Sequence, residues 1–524
     1  MENRHKIFNR ENGIFLVFAI ILIFFLGKSS PLYYLNDWVD ANAYFTVGKG
    51  IVHGLVPYRD LFDQKGPLIY FLHAIGYLIS QHNFWGIAVL ESFNLCASMI
   101  IFKKILQLYV SKPLQFAGAL LVPMAFLASP FFNAGDSVEE FMMPFILYLM
   151  YSICKIIHVN LHANSFDFQL DFKQFYWIGL GLGIVFWSKY ILVGFWIGFF
   201  IALTIILFSR RQFMDWLKVL LYTLLGFITV TAVVLLYFLL NHALSDLFFG
   251  YFYANISLYQ INMSTFTKVF NSIKYLFFGF GMGGHWIINI VLLLAIFVFP
   301  FNKKVSDAWE GKVLYLLPVI FGGLLMFWGL TPRLYYWLPL LVIAMMGLLA
   351  ILINVETSFQ NNFPQQIPRL RNFIIVLACV APFMMNTNYN FSKLYPKNYT
   401  VAYQSKGDLP AQLQFKKIID RQKNAKVLNY GTLDLGVYTV TNKIPDSKYF
   451  YILNIPKSAF PEMYQQQDKV ITHKQADFVV TRTPAGQDLV DAGMDTLTDH
   501  YRVIKKHNQV NDNELLTYWL LKKK

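Results

Sequence analysis

The sequence predicts a polytopic α-helical membrane protein of about eleven transmembrane helices, followed by a small extracellular α/β domain at the C-terminus. Three observations carry that expectation. The 524 residues are 56% hydrophobic and only 14% charged, whereas a soluble domain carries roughly 25% charged residues. Apolar runs of about 20 residues, enough to cross a ~30 Å hydrocarbon core, recur as far as Asn386. From Thr387 to Lys524 charges become frequent and the apolar runs shorten. Residues 1–386 are therefore read as the membrane domain and residues 387–524 as the soluble one.

Basic residues set the expected topology. Arg4, Lys6 and Arg10 precede the first run, Gly13–Gly27, which places the N-terminus in the cytoplasm. Pro67–Ser80 is too short for a span and is assigned to the outer surface. That choice keeps Lys103 and Lys104, just after Phe84–Phe102, on the inside. The remaining spans are then Leu114–Phe132, Phe141–Val159, Phe175–Ser188, Ile191–Phe208, Val219–Asn241, Leu276–Phe301, Val313–Gly329, Trp337–Asn354 and Phe373–Asn386. This alternation brings Arg210, Arg211, Lys303, Lys304, Arg369 and Arg371 to the cytoplasmic face. The chain is thus expected to be a multi-pass protein of the cell membrane. Its net charge of +14 belongs to these clusters, which argues against nucleic acid as a partner. Cys96, Cys154 and Cys379 lie in apolar segments at no spacing that suggests a disulfide framework or a zinc site. In the soluble part, a helix at Gln412–Arg421 and strands at Lys426–Tyr430 and Asp477–Thr481 give the α/β alternation.

The external loop, residues 28–83, concentrates charge in a chain that has little. It holds Asp37, Asp40, Arg59, Asp60, Asp63 and Lys65. Asp40 opens D-A-N-A-Y, ending at Tyr44; V-P-Y-R-D follows from Val56 to Asp60, with Tyr58 inside it. Q-K-G-P-L-I-Y then starts at Gln64. A carboxylate at a membrane surface can take a proton from an acceptor hydroxyl while a phosphate leaves. The plain alternative is a solvated loop kept wet by its acids. A second acidic turn, Gly135–Glu140, falls on the same outer face. Its Asp136 or Glu139 can either join the first acid or serve the start of the next helix. Lys189 ends an apolar run where it can snorkel to the interface or face a ligand. Arg333, in T-P-R-L-Y-Y-W, is a second cation of that kind, with Tyr335 and Tyr336 beside it.

These motifs resemble the GT-C superfamily of polyprenyl-phosphate-sugar-dependent glycosyltransferases, whose members carry a D-E-x-x-Y motif in the first external loop and then a K-P-P or K-G-P turn. Asp40 and Tyr44 match the ends of the motif, and Lys65, Gly66 and Pro67 match the turn. Ala41 departs from the pattern at the second acid, so Asp37, Asp136 or Glu139 are the candidates to complete it. The wording D-x-x-D-A-N-A and Q-K-G-P is similar to Gram-positive cell-envelope glycosyltransferases. The resemblance implies a catalytic membrane domain that moves a sugar, with inversion, from a donor such as undecaprenyl phosphate at the outer face. The acceptor would be a hydroxyl of a cell-envelope glycan, a wall polysaccharide or a teichoic acid. It implies Asp40 as general base, with Asp37 in reserve and Asp136 or Glu139 as helper. Lys189, Arg333, Lys65 and Arg59 would hold the donor phosphate, where cations offset the charge that develops as the bond to the sugar breaks. Tyr44, Tyr58, Tyr335 and Tyr336 would contact sugar or lipid. No cofactor is fixed by the motifs, and a divalent metal is compatible with the acids. Two rival readings are a transporter or flippase of lipid-linked sugars and a non-catalytic envelope scaffold. Transporters keep ionisable groups near the bilayer midplane, whereas the charges here gather at span ends.

Overall fold

Apolar runs too long for a soluble core must satisfy every backbone group internally, and helices do so. The computed structural model describes residues 10–161, 168–259, 263–278, 286–329, 333–395, 409–511 and 514–524, so Arg4 and Lys6 lie outside the described residues. Helices α1 (Arg10–Leu26), α2 (Val39–Val52), α3 (Pro67–Ile79) and α4 (Trp85–Tyr109) come first, followed by α5 (Lys112–Ala119), α6 (Leu121–Leu127), α7 (Val138–Leu161) and α8 (Phe172–Lys189). Next are α9 (Gly194–Ser209), α10 (Phe213–Leu240), α11 (Leu244–Leu247), a π-helical segment Phe248–Leu258, α12 (Thr265–Phe278) and α13 (Trp286–Phe297). The membrane part closes with α14 (Trp309–Met326), α15 (Leu340–Asn362) and α16 (Ile367–Met385). Among the described residues, 7 helices are long and apolar enough to cross a membrane, and shorter apolar ones cover Pro67–Ile79, Lys112–Leu127 and Trp286–Phe301. The protein is a polytopic helical membrane protein with a small sheet domain at its C-terminus.

Several expected spans take a different form. The apolar stretch Phe172–Ser209 is continuous, but its helix breaks at Lys189 and a 3-10 turn covers Tyr190–Val193. The chain folds back there, so that the Trp196 indole N–H donates to the Ile178 carbonyl at 3.0 Å. The expected span Leu114–Phe132 is two short helices, α5 and α6. Pro123 lacks the N–H that would bond the Ala119 carbonyl, and the ladder is interrupted there. The expected span Leu276–Phe301 falls on α12 and α13, on either side of residues outside the described set.

Helix α3 has 13 residues, about 20 Å at ~1.5 Å per residue and short of the hydrocarbon thickness. It buries Ile69, Tyr70, His73, Ala74 and Tyr77 and exposes Ile75, Leu78 and Ile79. That is the division expected of a helix lying along a surface. Helix α2 has no counterpart among the sequence expectations. Its residues from Ala41 to Gly50 are all buried, because α3 covers one side and the C-terminal domain another. At the contact with α3, a Cβ on Gly48 would sit 2.6 Å from the Ala74 backbone nitrogen, so a side chain there would force the two helices apart.

The C-terminal domain is a sheet of order β1-β2-β4-β3. Strand β1 (Val427–Asn429) runs parallel to β2 (Phe478–Pro484), with helix Pro461–Thr472 in the crossover. Strands β3 (Tyr501–Asn511) and β4 (Glu514–Lys523) form an antiparallel pair, and β4 pairs with β2. The expected strands at 426–430 and 477–481 appear as β1 and part of β2, and the expected helix appears as Ala411–Ile419. Asn388 donates to the Leu26 and Asn133 carbonyls at 3.0 and 2.6 Å. The end of α1, the turn before α7 and the start of the C-terminal part therefore meet at one end of the bundle.

The segment joining α2 to α3 is pressed onto the C-terminal end of α8. The Gly66 N–H donates to the Ser188 carbonyl at 3.3 Å, and a Cβ on Gly66 would lie 2.2 Å from the Trp187 carbonyl oxygen. Gly66→Ala is expected to cost at least ~2 kcal/mol, because backbone rather than a pliable side chain must yield. Thermal unfolding in detergent measures this; an unchanged transition would mean that the end of α8 gives way freely.

Candidate active site

Asp40 sits in the first turn of α2, where the helix N-terminus favours a carboxylate. Its Oδ2 accepts from the Tyr335 hydroxyl at 3.2 Å and the Tyr44 hydroxyl at 3.4 Å, and Lys65 Nζ lies 3.4 Å away. The Lys65 and Asp40 side chains are 18% and 22% exposed, so the pair is shielded from bulk water yet open to a ligand.

Local backbone contacts fix Lys65. The Tyr58 hydroxyl donates to the Lys65 carbonyl at 2.6 Å, and the Lys65 N–H donates to the Tyr70 hydroxyl at 3.0 Å. Asn255 Nδ2 donates to the Gln64 carbonyl at 2.6 Å. Tyr58 holds φ at 67°, a region that residues with a Cβ seldom occupy, and its buried ring and hydroxyl bond explain why the conformation persists. The Lys65 ammonium also lies 5.4 Å from the Tyr44 ring centroid. Burial works to strip its proton, but the Asp40 and Asp63 carboxylates outweigh that and hold it above the ordinary lysine range.

A second pair adjoins the first. Lys189 forms an ion pair with Glu139, and its ammonium stands 4.0 Å from the Tyr336 ring centroid and 5.6 Å from that of Tyr335. Tyr335 thus bonds Asp40 through its hydroxyl and meets Lys189 with its ring. Trp38 packs edge-on against Tyr335 at 5.1 Å between centroids. The structure brings together Asp40, Lys65, Lys189, Glu139, Tyr44, Tyr335 and Tyr336, drawn from α2, the α2–α3 segment, α7, α8 and the turn Leu334–Trp337.

Other expected site residues go elsewhere. Asp37 pairs with Lys28 at 2.8 Å, because that lysine reaches it from the end of α1. Arg59 pairs with Asp60 and donates to the Asn241 carbonyl at 2.7 Å, tying the segment to the end of α10. Asp136 is fully buried with its Oδ1 2.9 Å from His73 Nε2, and its N–H donates to Glu91 at 2.7 Å and Glu140 at 2.9 Å. Its place is therefore inside the bundle behind α3. Tyr58 is spent on the Lys65 carbonyl. Arg333 is exposed at the start of its turn, with its carbonyl accepting from Tyr336 N–H at 2.9 Å.

Ala41 is 0% exposed within the apolar core, where burying a carboxylate is costly unless it is paired. Asp63, not among the expected site residues, supplies further negative charge to Lys65. The signal available was its position in D-Q-K-G-P, two residues before the lysine. Among the described residues, no group of three or more His, Cys, Asp or Glu could hold a metal ion.

The Lys189–Glu139 pair is the more enclosed of the two. Glu139→Gln leaves an uncompensated ammonium and is expected to destabilise the protein by about 3–5 kcal/mol. Glu139→Gln combined with Lys189→Met should recover much of that loss. Thermal unfolding of the single and double variants decides the point; equal losses in both would show that the stranded ammonium is not the source of the cost.

No protein-family model matches the chain, and no curated protein matches it by sequence. Solved structures do. ArnT from Cupriavidus metallidurans bound to undecaprenyl phosphate is similar over 97% of each chain, with 11% identity and a TM-score of 0.50. ArnT in the apo state is similar over the same shares at 10% identity and a TM-score of 0.49. The archaeal oligosaccharyltransferase AglB from Archaeoglobus fulgidus, in complex with an inhibitory peptide and a dolichol-phosphate, covers 90% of this chain and 69% of its own, at 12% identity and a TM-score of 0.45. The full-length correspondence with ArnT includes both the helical bundle and the C-terminal sheet domain. The chain shares the fold of ArnT.

Proposed function

We propose that the protein is an inverting glycosyltransferase that takes a sugar from a polyprenyl phosphate, undecaprenyl phosphate in a bacterial membrane. The acceptor in this reading is a hydroxyl of a cell-envelope glycan, such as a wall polysaccharide or a teichoic acid. One observation carries the proposal: a partly open Asp40 carboxylate is bonded to Tyr335 and paired with Lys65, next to a second ammonium on Lys189. A base beside cations at one end of a membrane bundle is what transfer from a lipid phosphate needs. The topology drawn from the basic clusters puts that end outside the cell, with the N-terminus in the cytoplasm.

In the reaction the acceptor oxygen attacks the anomeric carbon, and the bond from that carbon to the phosphate oxygen breaks with its electron pair going to phosphate. The hydroxyl proton passes to Asp40. Lys65 and Lys189 offset the charge gathering on the phosphate, with Arg333 at the rim as a further cation. Tyr335, Tyr336 and Tyr44 supply walls and hydroxyls for the sugar. The donor phosphate competes with Asp40 for the Lys65 ammonium, so its arrival releases the carboxylate to act as a base.

Asp40→Asn keeps the shape of the side chain and removes the base. It is expected to lower transfer by about 10²–10⁴-fold while membrane insertion stays near wild type; the thermal unfolding midpoint falls, because Lys65 loses one of the carboxylates that offset its burial. The assay uses purified protein, a synthetic undecaprenyl-phosphate sugar and an envelope glycan acceptor. Wild-type rates in the variant would sink the assignment of Asp40. Movement of the lipid-linked sugar across vesicles without transfer would favour the transporter reading.

A further inference from the structure

Asp63 occupies a place that neither its exposure nor its motif explains. It lies fully buried where the α2–α3 segment meets the C-terminal domain. Its Oδ1 accepts from the Tyr451 hydroxyl at 2.8 Å and from the Gln64 N–H at 2.6 Å. Its Oδ2 makes no hydrogen bond among the described residues. The positive charge acting on it is Lys65, the ammonium already paired with Asp40.

The same seam is bonded at several further points to the elements that carry Asp40 and Lys65. Thr46 of α2 donates to Asp434 at 3.1 Å, and Thr439 donates to Asn42 Oδ1 at 2.8 Å. Lys49, wholly buried on α2, donates to the Tyr438 carbonyl at 2.7 Å and the Lys443 carbonyl at 2.5 Å. The Phe62 N–H donates to the Lys448 carbonyl at 2.9 Å. Residues 434–451 are therefore laid along the catalytic segment, and Tyr451 is the point where that contact reaches a charge beside the site.

We propose that Asp63 and Tyr451 are positioning residues: the C-terminal domain, through the Tyr451 hydroxyl, fixes the Asp63 carboxylate, whose charge acts together with that of Asp40 on the Lys65 ammonium. Docking of the C-terminal domain thereby sets the charge and aim of the lysine that meets the donor phosphate. The inference rests on the glycosyltransferase reading for the role of Lys65, and its geometry stands apart from that reading. Burial raises the Asp63 carboxyl above the ordinary range, while Lys65 and the Tyr451 hydroxyl pull it back. The titratable groups facing Asp63 are Asp40 and Tyr44 of α2, Lys65, Tyr58, Tyr70 of α3, and Tyr451 and Asp434 of the C-terminal domain.

The test reads Lys65 directly. The full chain in detergent is treated with an amine-acylating reagent over a range of pH, and labelling of Lys65 is followed by mass spectrometry, since only the neutral amine reacts. Removing a nearby negative charge favours the neutral amine, so Asp63→Asn should move the labelling midpoint down by about one pH unit. Tyr451→Phe, which removes one hydroxyl and keeps the ring, should move it the same way by less. Thr439→Val loosens the seam without touching the charges and should leave the midpoint in place. In the transfer assay, Asp63→Asn should lower kcat by about 10–100-fold with the alkaline limb of the pH profile moved down in step. Wild-type midpoints in both Asp63→Asn and Tyr451→Phe would overturn the inference, as would an equal shift in Thr439→Val. Should Asp63→Asn fail to fold, Tyr451→Phe decides. A wild-type protein that transfers nothing from a polyprenyl-phosphate sugar would sink the glycosyltransferase reading and leave the labelling result to stand on its own.

Discussion

Taking an ammonium out of water costs several kcal/mol unless opposite charge is supplied at close range. Lys65 is mostly enclosed, and the structure around it is arranged to supply that charge. Asp40 comes from the first turn of α2 and Asp63 from the segment ahead of the lysine. Neither can reach unless the backbone between them is bent sharply, and the bend is held by the Tyr58 and Tyr70 hydroxyls and by the contact of Gly66 with the end of α8. The K-G-P turn is therefore a mechanical part of the ion pair. The glycine allows approach to α8, and the proline starts α3 at a position where its missing N–H costs nothing.

The same requirement explains why the C-terminal domain is fastened where it is. Helix α2 carries a lysine, Lys49, that faces away from the site, and a membrane face offers it neither water nor lipid headgroup once α3 is in place. Backbone carbonyls of Tyr438 and Lys443 take it up, and the Asp434 carboxylate attracts it. Burial pushes the Lys49 ammonium down to about 7 and the Asp434 carboxyl up to about 6. Each shift opposes the charged form: docking is penalised by Lys49 most fully below about pH 7 and by Asp434 most fully above about pH 6. Their mutual attraction offsets both penalties only while the domain stays docked. The seam thus depends on being complete.

Much of this was legible in the residues, for reasons that differ from element to element. The positions of the helices followed from apolar length, which the bilayer reads directly. The short Pro67–Ile79 helix followed from the same argument run in reverse. Asp40, Tyr44 and Lys65 stood out because the resemblance rested on their spacing. Helix α2 was not legible, because glycines at 48 and 50 and a polar composition read as loop, and tertiary packing rather than propensity makes it a helix. The pairing of charges was not legible either. Lys28 with Asp37 and His73 with Asp136 join residues whose proximity exists only after folding, as does Arg59 with the Asn241 carbonyl. Ala41 read as a missing acid, whereas the fold simply encloses that position and brings carboxylates to the lysine from Asp63 and to the neighbouring lysine from Glu139.

On the proposed reading, two ammonium groups that are each already paired suit a phosphate ligand. Free cations at a membrane face would bind any passing anionic headgroup. Lys65 and Lys189 are instead engaged by Asp40 and Glu139, with Tyr335 bridging the two pairs through its hydroxyl and its ring. A ligand gains from them only if it can exchange for the carboxylates within the same enclosed space, where both cations act on one phosphate. On the proposed reading that exchange has a chemical consequence, because the carboxylate it releases at Asp40 is the one that must accept the acceptor's proton. Donor binding and base activation are then the same event, and a hydroxyl arriving before the donor meets an Asp40 still held by Lys65. Such ordering needs no moving lid. It follows from having fewer cations in the pocket than anions that can claim them.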